Sequence, residues 1–147
     1  MSPIDRAVLA ERTLALERHL SRVAEKLPPA ADEFVTSSDA SDAVILHLWQ
    51  ATQIVIDLAV SACVAHGSGT PQSYADAFRR LQAAGLIEET LADRLVRAAG
   101  FRNLVAHAYE RLDMTRVHQA ARTGPADLRA FVAAIARAAP GSNLRRE

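Results

Sequence analysis

Between Ala43 and Ala65 the chain is apolar, with His47, Gln50, Thr52, Gln53 and Asp57 as its main polar interruptions. At helical spacing its apolar residues almost encircle the axis, as expected for the central helix of a bundle or for one covered by a second chain. A bilayer core would tolerate those polar interruptions poorly, so the stretch reads as a buried helix of a non-membrane protein. Ser38, Asp39 and Ser41 compete to cap its start, and Gly67, just after His66, suits its end. Asp57, between Ile56 and Leu58, needs a cation or hydrogen bonds if it is buried. It is either an acidic partner for a functional group or a partly exposed, internally paired structural residue.

The rest of the chain supplies partners for that helix. Ser2-Pro3 offers a cap and a first-turn proline, and Leu16, Leu20, Val23 and Leu27 recur at helical spacing until Pro28-Pro29, which predicts a first helix over roughly residues 3–27. The segment from Pro28 to Ser38 is a connector whose Phe34 and Val35 are expected to pack back on the core. Ser73 caps a short helix that ends at Gly85. Leu86-Ile87-Glu88-Glu89 opens the next, with Gly100 as a candidate terminator. Asp113 caps a further helix that Gly124-Pro125 is expected to break, and Leu128, Phe131, Val132 and Ile135 define a last amphipathic one. No strand-like alternation and no repeat interrupts this series. The expectation is one all-α domain over residues 1–139, a bundle of about five to six helices with a long second helix, followed by a frayed tail over 140–147.

Charge limits the possible partners. The 17 basic residues balance 17 acidic ones, so no global field draws the protein to a polyanion, and any nucleic-acid binding must come from a local patch. All the basic residues but Lys26 are arginine, whose planar fork suits bidentate phosphate or carboxylate contacts. Cys63 is the only cysteine, which excludes an intrachain disulfide and fits a reducing compartment. The N-terminus has no cationic and apolar leader, so a cytoplasmic protein is expected. His19, His47, His66 and His118 show no metal-ligand spacing, and Cys63-x-x-His66 is an isolated pair where a closed zinc site needs four ligands. Neither a metal nor another cofactor is expected.

The densest functional chemistry lies in Gly100-Phe101-Arg102-Asn103-Leu104-Val105-Ala106-His107-Ala108-Tyr109. In an ideal helix, at about 100° per residue, Arg102 and Tyr109 share one face, whereas Arg102 and His107 stand about 140° apart. Bringing all three together takes a distorted turn or a second copy of the motif across a two-fold axis, and the second also accounts for the excess apolar surface of the central helix. Once converged, His107 can exchange a proton with a ribose 2′-hydroxyl or a leaving 5′-oxygen, and Arg102 can clamp the charge of a phosphorane-like transition state. Those are the parts of metal-independent RNA cleavage, with Asn103 orienting phosphate or His107 and Tyr109 contacting a phosphate or base. Taken singly, the same residues also fit a structural histidine and an ordinary Arg/Tyr packing pair.

The pattern Arg-x4-His-x-Tyr with Asn after the Arg resembles the signature of the HEPN superfamily, specifically the HepT-like toxins of MNT/HepT toxin–antitoxin pairs. The resemblance extends over roughly residues 40–135, through Gln53-Ile54-Val55-Ile56-Asp57-Leu58-Ala59, Tyr74-Ala75-Asp76-Ala77-Phe78, Ala84-Gly85-Leu86-Ile87 and Leu112-Asp113. It implies a HEPN fold, a homodimer whose two motifs line a cleft, and a metal-independent endoribonuclease acting on tRNA or mRNA. It implies Arg102 and His107 as catalytic residues, Asn103 as the polar residue beside them, and Tyr109 as the tyrosine that a minimal nucleotidyltransferase antitoxin modifies with AMP. Adenylate there adds bulk and negative charge where an RNA phosphate would sit. The alternative is a non-catalytic helical dimer that binds nucleotide or RNA for such a nucleotidyltransferase.

Overall fold

The computed structural model describes residues 4–138. Five helices follow in order: α1 Arg6–Lys26, α2 Asp39–Ala65, α3 Tyr74–Ala83, α4 Glu89–Ala108 and α5 Met114–Ala138. Two 3₁₀ turns, Ala31–Glu33 and Tyr109–Arg111, complete the series, and the described residues contain no strand. The all-α expectation holds.

Local chemistry explains most of the boundaries. Helix α1 starts later than expected: the Asp5 carboxylate accepts from Ala7 N at 2.7 Å and is the cap, while Ser2-Pro3 lies outside the described residues. It stops where Leu27 turns extended, the conformation favoured before Pro28. For α2, Ser38 and Ser41 cap each other's backbone N–H reciprocally. Gly67 (φ 76°) closes α2, with Ser68 N donating to Cys63 O at 2.8 Å and Gly67 N to Val64 O. Gly85 (φ 81°) closes α3 by the same pair of bonds, to Leu81 and Gln82. Both are Schellman ends, in which a residue with a Cβ would be strained.

Two expected breaks do not occur. Helix α4 runs through Gly100 to Ala108, because Gly100 keeps helical backbone. Helix α5 runs through Gly124-Pro125. Proline's fixed φ suits a helix, and what it removes is one backbone donor. Buried Val117 and Ala121 on one side of it, and Leu128 and Phe131 on the other, hold the helix continuous. The frayed tail assigned to 140–147 lies outside the described residues.

Helix α2 is central and touches each of the other four helices. One part of the core gathers Leu16, Ile56, Phe78, Leu95 and Phe131. Another gathers Val23, Phe34, Ile45, Leu48 and Val117. Phe34 packs inward as expected, but Val35 is 65% exposed. By length and composition α2 would also pass for a membrane span, yet 56% of its most apolar window is buried by the other helices, as in a soluble core helix. Its exposed side is a single stripe: Asp42, Leu46, Trp49, Gln53 and Asp57 follow each other at three- and four-residue steps and none is fully buried.

Three of the other histidines and the cysteine are accounted for by packing. His118 is buried, with Nε2 at 2.7 Å from Pro28 O. Cys63 is buried beside Ala77 O, and burial raises its thiol pKa. His19 and His47 meet between α1 and α2 with their Nδ1 atoms 3.0 Å apart, so one ring donates and the other accepts. Burial, then the neighbouring His47 and the nearby Arg18 and Arg12, hold His19 below its usual pKa. A depressed imidazole pKa contributes stability above about 6.5 that is lost as pH falls. The melting temperature should therefore drop from about pH 7.5 to about 5.5, and His19→Gln should reduce that drop. An equal drop in the variant would exclude the pair as the cause.

Candidate active site

Helix α4 lies antiparallel to α2, so Arg102 meets the middle of the exposed stripe and Tyr109, just past the end of α4, meets its start. Arg102 sits midway along. Its Nε donates to Gln53 Oε1 at 2.7 Å and one Nη donates to Asn103 Oδ1 at 3.2 Å. Its guanidinium carbon lies 5.1 Å from the Trp49 ring centre and 5.4 Å from that of Tyr74. Contacts at these distances are worth about 0.5–1 kcal/mol each at exposed sites. Gln53 is oriented in turn, because its amide nitrogen donates to Asp57 Oδ1 at 2.9 Å and so turns its oxygen towards Arg102. Asp57 is exposed and reaches Arg102 in the structure by way of Gln53. The other Nη of Arg102 makes no hydrogen bond to a described residue.

Tyr109 stands where α4 stops. Ala108 leaves helical backbone (φ −143°, ψ 37°) and Tyr109 opens the 3₁₀ turn, so the shared face of an ideal helix does not extend to it. Its hydroxyl donates to Asp42 Oδ1 at 2.6 Å, at the first turn of α2. Asp42 and Gln53 are eleven residues apart, so the tyrosine and arginine anchor points are separated by about 16 Å along α2. The hydrogen bond to Asp42, then partial burial, then the carboxylate charge push the phenol pKa up to about 12. The neutral phenol is the form the fold favours. Its contribution is fully present below about pH 10 and is lost as pH rises through about 12. Asp42→Ala, which removes the acceptor, should return that pKa towards 10, as read by ultraviolet titration in a Tyr74→Phe background; a value still near 12 would exclude the hydrogen bond as the cause.

His107 is exposed beside this turn, lining a small recess with Tyr109, Glu110 and Arg111. No hydrogen bond or ion pair joins it to Arg102. One copy of the chain thus holds Arg102 and Asn103 together and places His107 and Tyr109 near each other, but does not bring the two pairs into contact. Among the described residues no three His, Cys, Asp or Glu side chains are grouped to hold a metal ion. Trp49, Tyr74, Gln53 and Asp42 were not among the residues expected at the site. The available signal was the spacing of Asp42, Trp49, Gln53 and Asp57, which share one side of α2.

Comparison with known proteins places this geometry. Residues 16–135 match the family described as ribonuclease HepT-like. The chain is similar to the mRNA nuclease HepT of Shewanella oneidensis, 26% identical over 128 residues that cover 87% of this chain and 96% of the relative. The solved structure of the tri-AMPylated Shewanella oneidensis HEPN toxin in complex with MNT antitoxin matches with a TM-score of 0.80 at 25% identity, covering 90% of this chain and 98% of that one. YutE of Bacillus subtilis, a cytosolic protein of unknown function, shares the fold with a TM-score of 0.76 at 16% identity, covering 94% of this chain and 92% of its own. With a match spanning most of its length, the chain belongs to the HepT-like ribonuclease family.

Proposed function

We propose that this ribonuclease is the toxin of a toxin–antitoxin pair, a single helical domain over residues 1–139 that acts on cytoplasmic RNA as a homodimer and without a metal ion. The observation that carries the reading is Arg102, gripped by Trp49, Tyr74 and Gln53 with N–H groups left over. A guanidinium fixed in this way is preorganised for a phosphate whose charge grows in the transition state. His107 supplies the proton transfer. It takes the proton of the 2′-hydroxyl as that oxygen attacks phosphorus and gives it to the leaving 5′-oxygen as the phosphorus–oxygen bond breaks, leaving a 2′,3′-cyclic phosphate. Asn103 steadies Arg102 and the phosphate. Since no hydrogen bond or ion pair joins Arg102 to His107 within one chain and their spacing sets them on different sides of α4, the working site pairs Arg102 of one copy with His107 of the other. Leu46 and Val64, 51% and 42% exposed on α2, offer apolar surface for that association.

Tyr109 is the point of control. It is 43% exposed, beside His107, and positioned to receive AMP from a nucleotidyltransferase partner. The test is co-expression with an MNT-type nucleotidyltransferase, followed by intact mass and an RNA cleavage assay in chelator. The wild-type chain should gain one or more AMP units, about 329 Da each, and lose cleavage. Tyr109→Phe should gain none. AMP on the Phe variant would remove Tyr109 from this role, and cleavage that requires added divalent metal would overturn the mechanism.

A further inference from the structure

Between the second half of α4 and the first half of α5 a groove of about 940 Å³ opens, floored by Leu48 and Thr52 of α2. Its volume is at the upper end of the roughly 300–1,000 Å³ typical of ligand sites. Phe101 and Leu104 form part of its wall, Leu104 being 44% exposed. Four arginines line it. Arg94 is paired with Asp127 at 2.7 Å, whereas Arg97, Arg111 and Arg116 are exposed and make no hydrogen bond or ion pair to a described residue. The other carboxylate of the groove, Asp113, caps Thr115 N at the start of α5. In a chain of zero formal net charge, this is the local concentration of uncommitted guanidinium groups that polyanion binding requires.

We infer that this groove is a binding subsite for single-stranded RNA, with Arg97, Arg111 and Arg116 on successive phosphates and a base against Phe101 and Leu104. The inference rests on the ribonuclease reading and extends it beyond the reacting phosphate. Charge complementarity selects a polyanion, and the aromatic and aliphatic wall selects unstacked bases over a duplex. Continuity connects the groove to the chemistry: Arg111 lines both the groove and the recess that holds His107. A strand leaving the scissile phosphate therefore has a basic path along α4.

The probe is a short single-stranded RNA fully 2′-O-methylated, which binds wild-type protein but has no nucleophile. Affinity is measured across roughly 50–200 mM salt. The triple variant Arg97→Gln, Arg111→Gln, Arg116→Gln should flatten the plot of log affinity against log salt by about two, at ~0.7 for each lost phosphate contact on a single strand. With cleavable RNA it should raise KM more than it lowers kcat, and its melting temperature should match wild type. An unchanged salt slope in the folded variant overturns the proposal. So does loss of nucleotidyltransferase binding with RNA affinity intact, which would make the groove a protein-docking surface. If wild-type protein neither binds nor cleaves RNA, the ribonuclease reading fails first and the subsite with it.

The Tyr109–Asp42 hydrogen bond carries a second, independent inference, which rests on Tyr109 being the AMP acceptor. The geometry points to Asp42 as the base that takes the phenol proton when Tyr109 is modified. As the phenol oxygen attacks the α-phosphorus of a nucleoside triphosphate, the O–P bond forms and the α–β bridging P–O bond breaks. Pyrophosphate leaves with the electron pair, and the proton passes to Asp42. The 2.6 Å contact is within the reach required of a general base. A phenol with a pKa of about 12 has almost no phenolate near neutrality, so the proton must leave during the step itself.

Asp42→Asn keeps an oxygen that accepts the hydrogen bond but cannot take the proton, which separates a base from a positioning residue. With the nucleotidyltransferase and ATP, its initial rate of AMP incorporation should fall about 10²–10⁴-fold. Asp42→Glu should recover part of that loss. Incorporation into Asp42→Asn at the wild-type rate overturns the assignment. Incorporation into Tyr109→Phe would instead overturn the acceptor on which it rests.

Discussion

His107→Ala should lower RNA cleavage by about 10²–10⁴-fold, the range over which a positioned proton-transfer group contributes. Arg102→Ala should produce a loss of similar size, because the guanidinium is already oriented by Trp49, Tyr74 and Gln53 before RNA arrives. Mixing the two inactive variants is the more informative measurement. If the site joins Arg102 of one copy to His107 of the other, each mixed dimer contains one intact site and one doubly defective site. Random exchange then restores about a quarter of wild-type activity, since half the dimers are mixed and half their sites are intact. If each chain forms its own site, mixing restores nothing, and the two-copy arrangement is wrong.

The second large effect concerns stability. Phe131 is fully buried and meets Phe78 edge-on, with ring centres 5.7 Å apart and planes at 89°. This contact ties α5 to α3 across the core. Phe131→Ala should cost about 3–5 kcal/mol, combining lost transfer energy with a cavity that the surrounding Leu and Ile side chains fill only in part. Denaturant unfolding measures it. A loss under about 1 kcal/mol would mean that the site collapses around the smaller side chain. Phe131 lies beyond Pro125, so the same measurement bears on how α5 stays continuous.

The helices were legible in the sequence because their signals are local. Ser38, Ser73, Gly67 and Gly85 act on backbone groups within a few residues of themselves, and each does in the structure what its neighbours imply. Gly100 and Gly124-Pro125 carry the same kind of signal, yet α4 and α5 pass through them. There the deciding interactions are apolar contacts with other helices, which no local pattern records. The site divides in the same way. Arg102, Asn103, His107 and Tyr109 stand out as one cluster in the chain, while the groups that hold Arg102 and Tyr109 come from 28 to 67 residues away and become visible only once α4 lies along α2. The separation of Arg102 and His107 on a helix was predictable from their spacing. The displacement of Tyr109 was not, because it depends on α4 ending at Ala108.

That ending has a further consequence through the bond between Tyr109 and Asp42. The contact links the last turn after α4 to the first turn of α2, and it depends on a single hydrogen atom. Any ester formed on the phenol oxygen removes that hydrogen and sets a phosphate charge against the Asp42 carboxylate. Modification would then release the Tyr109–Arg111 turn from α2 as well as block the space in front of it. The segment carrying the neighbours of His107 would change from a clamped to an unclamped state, and its amide protons should exchange faster with solvent after AMP is attached than before.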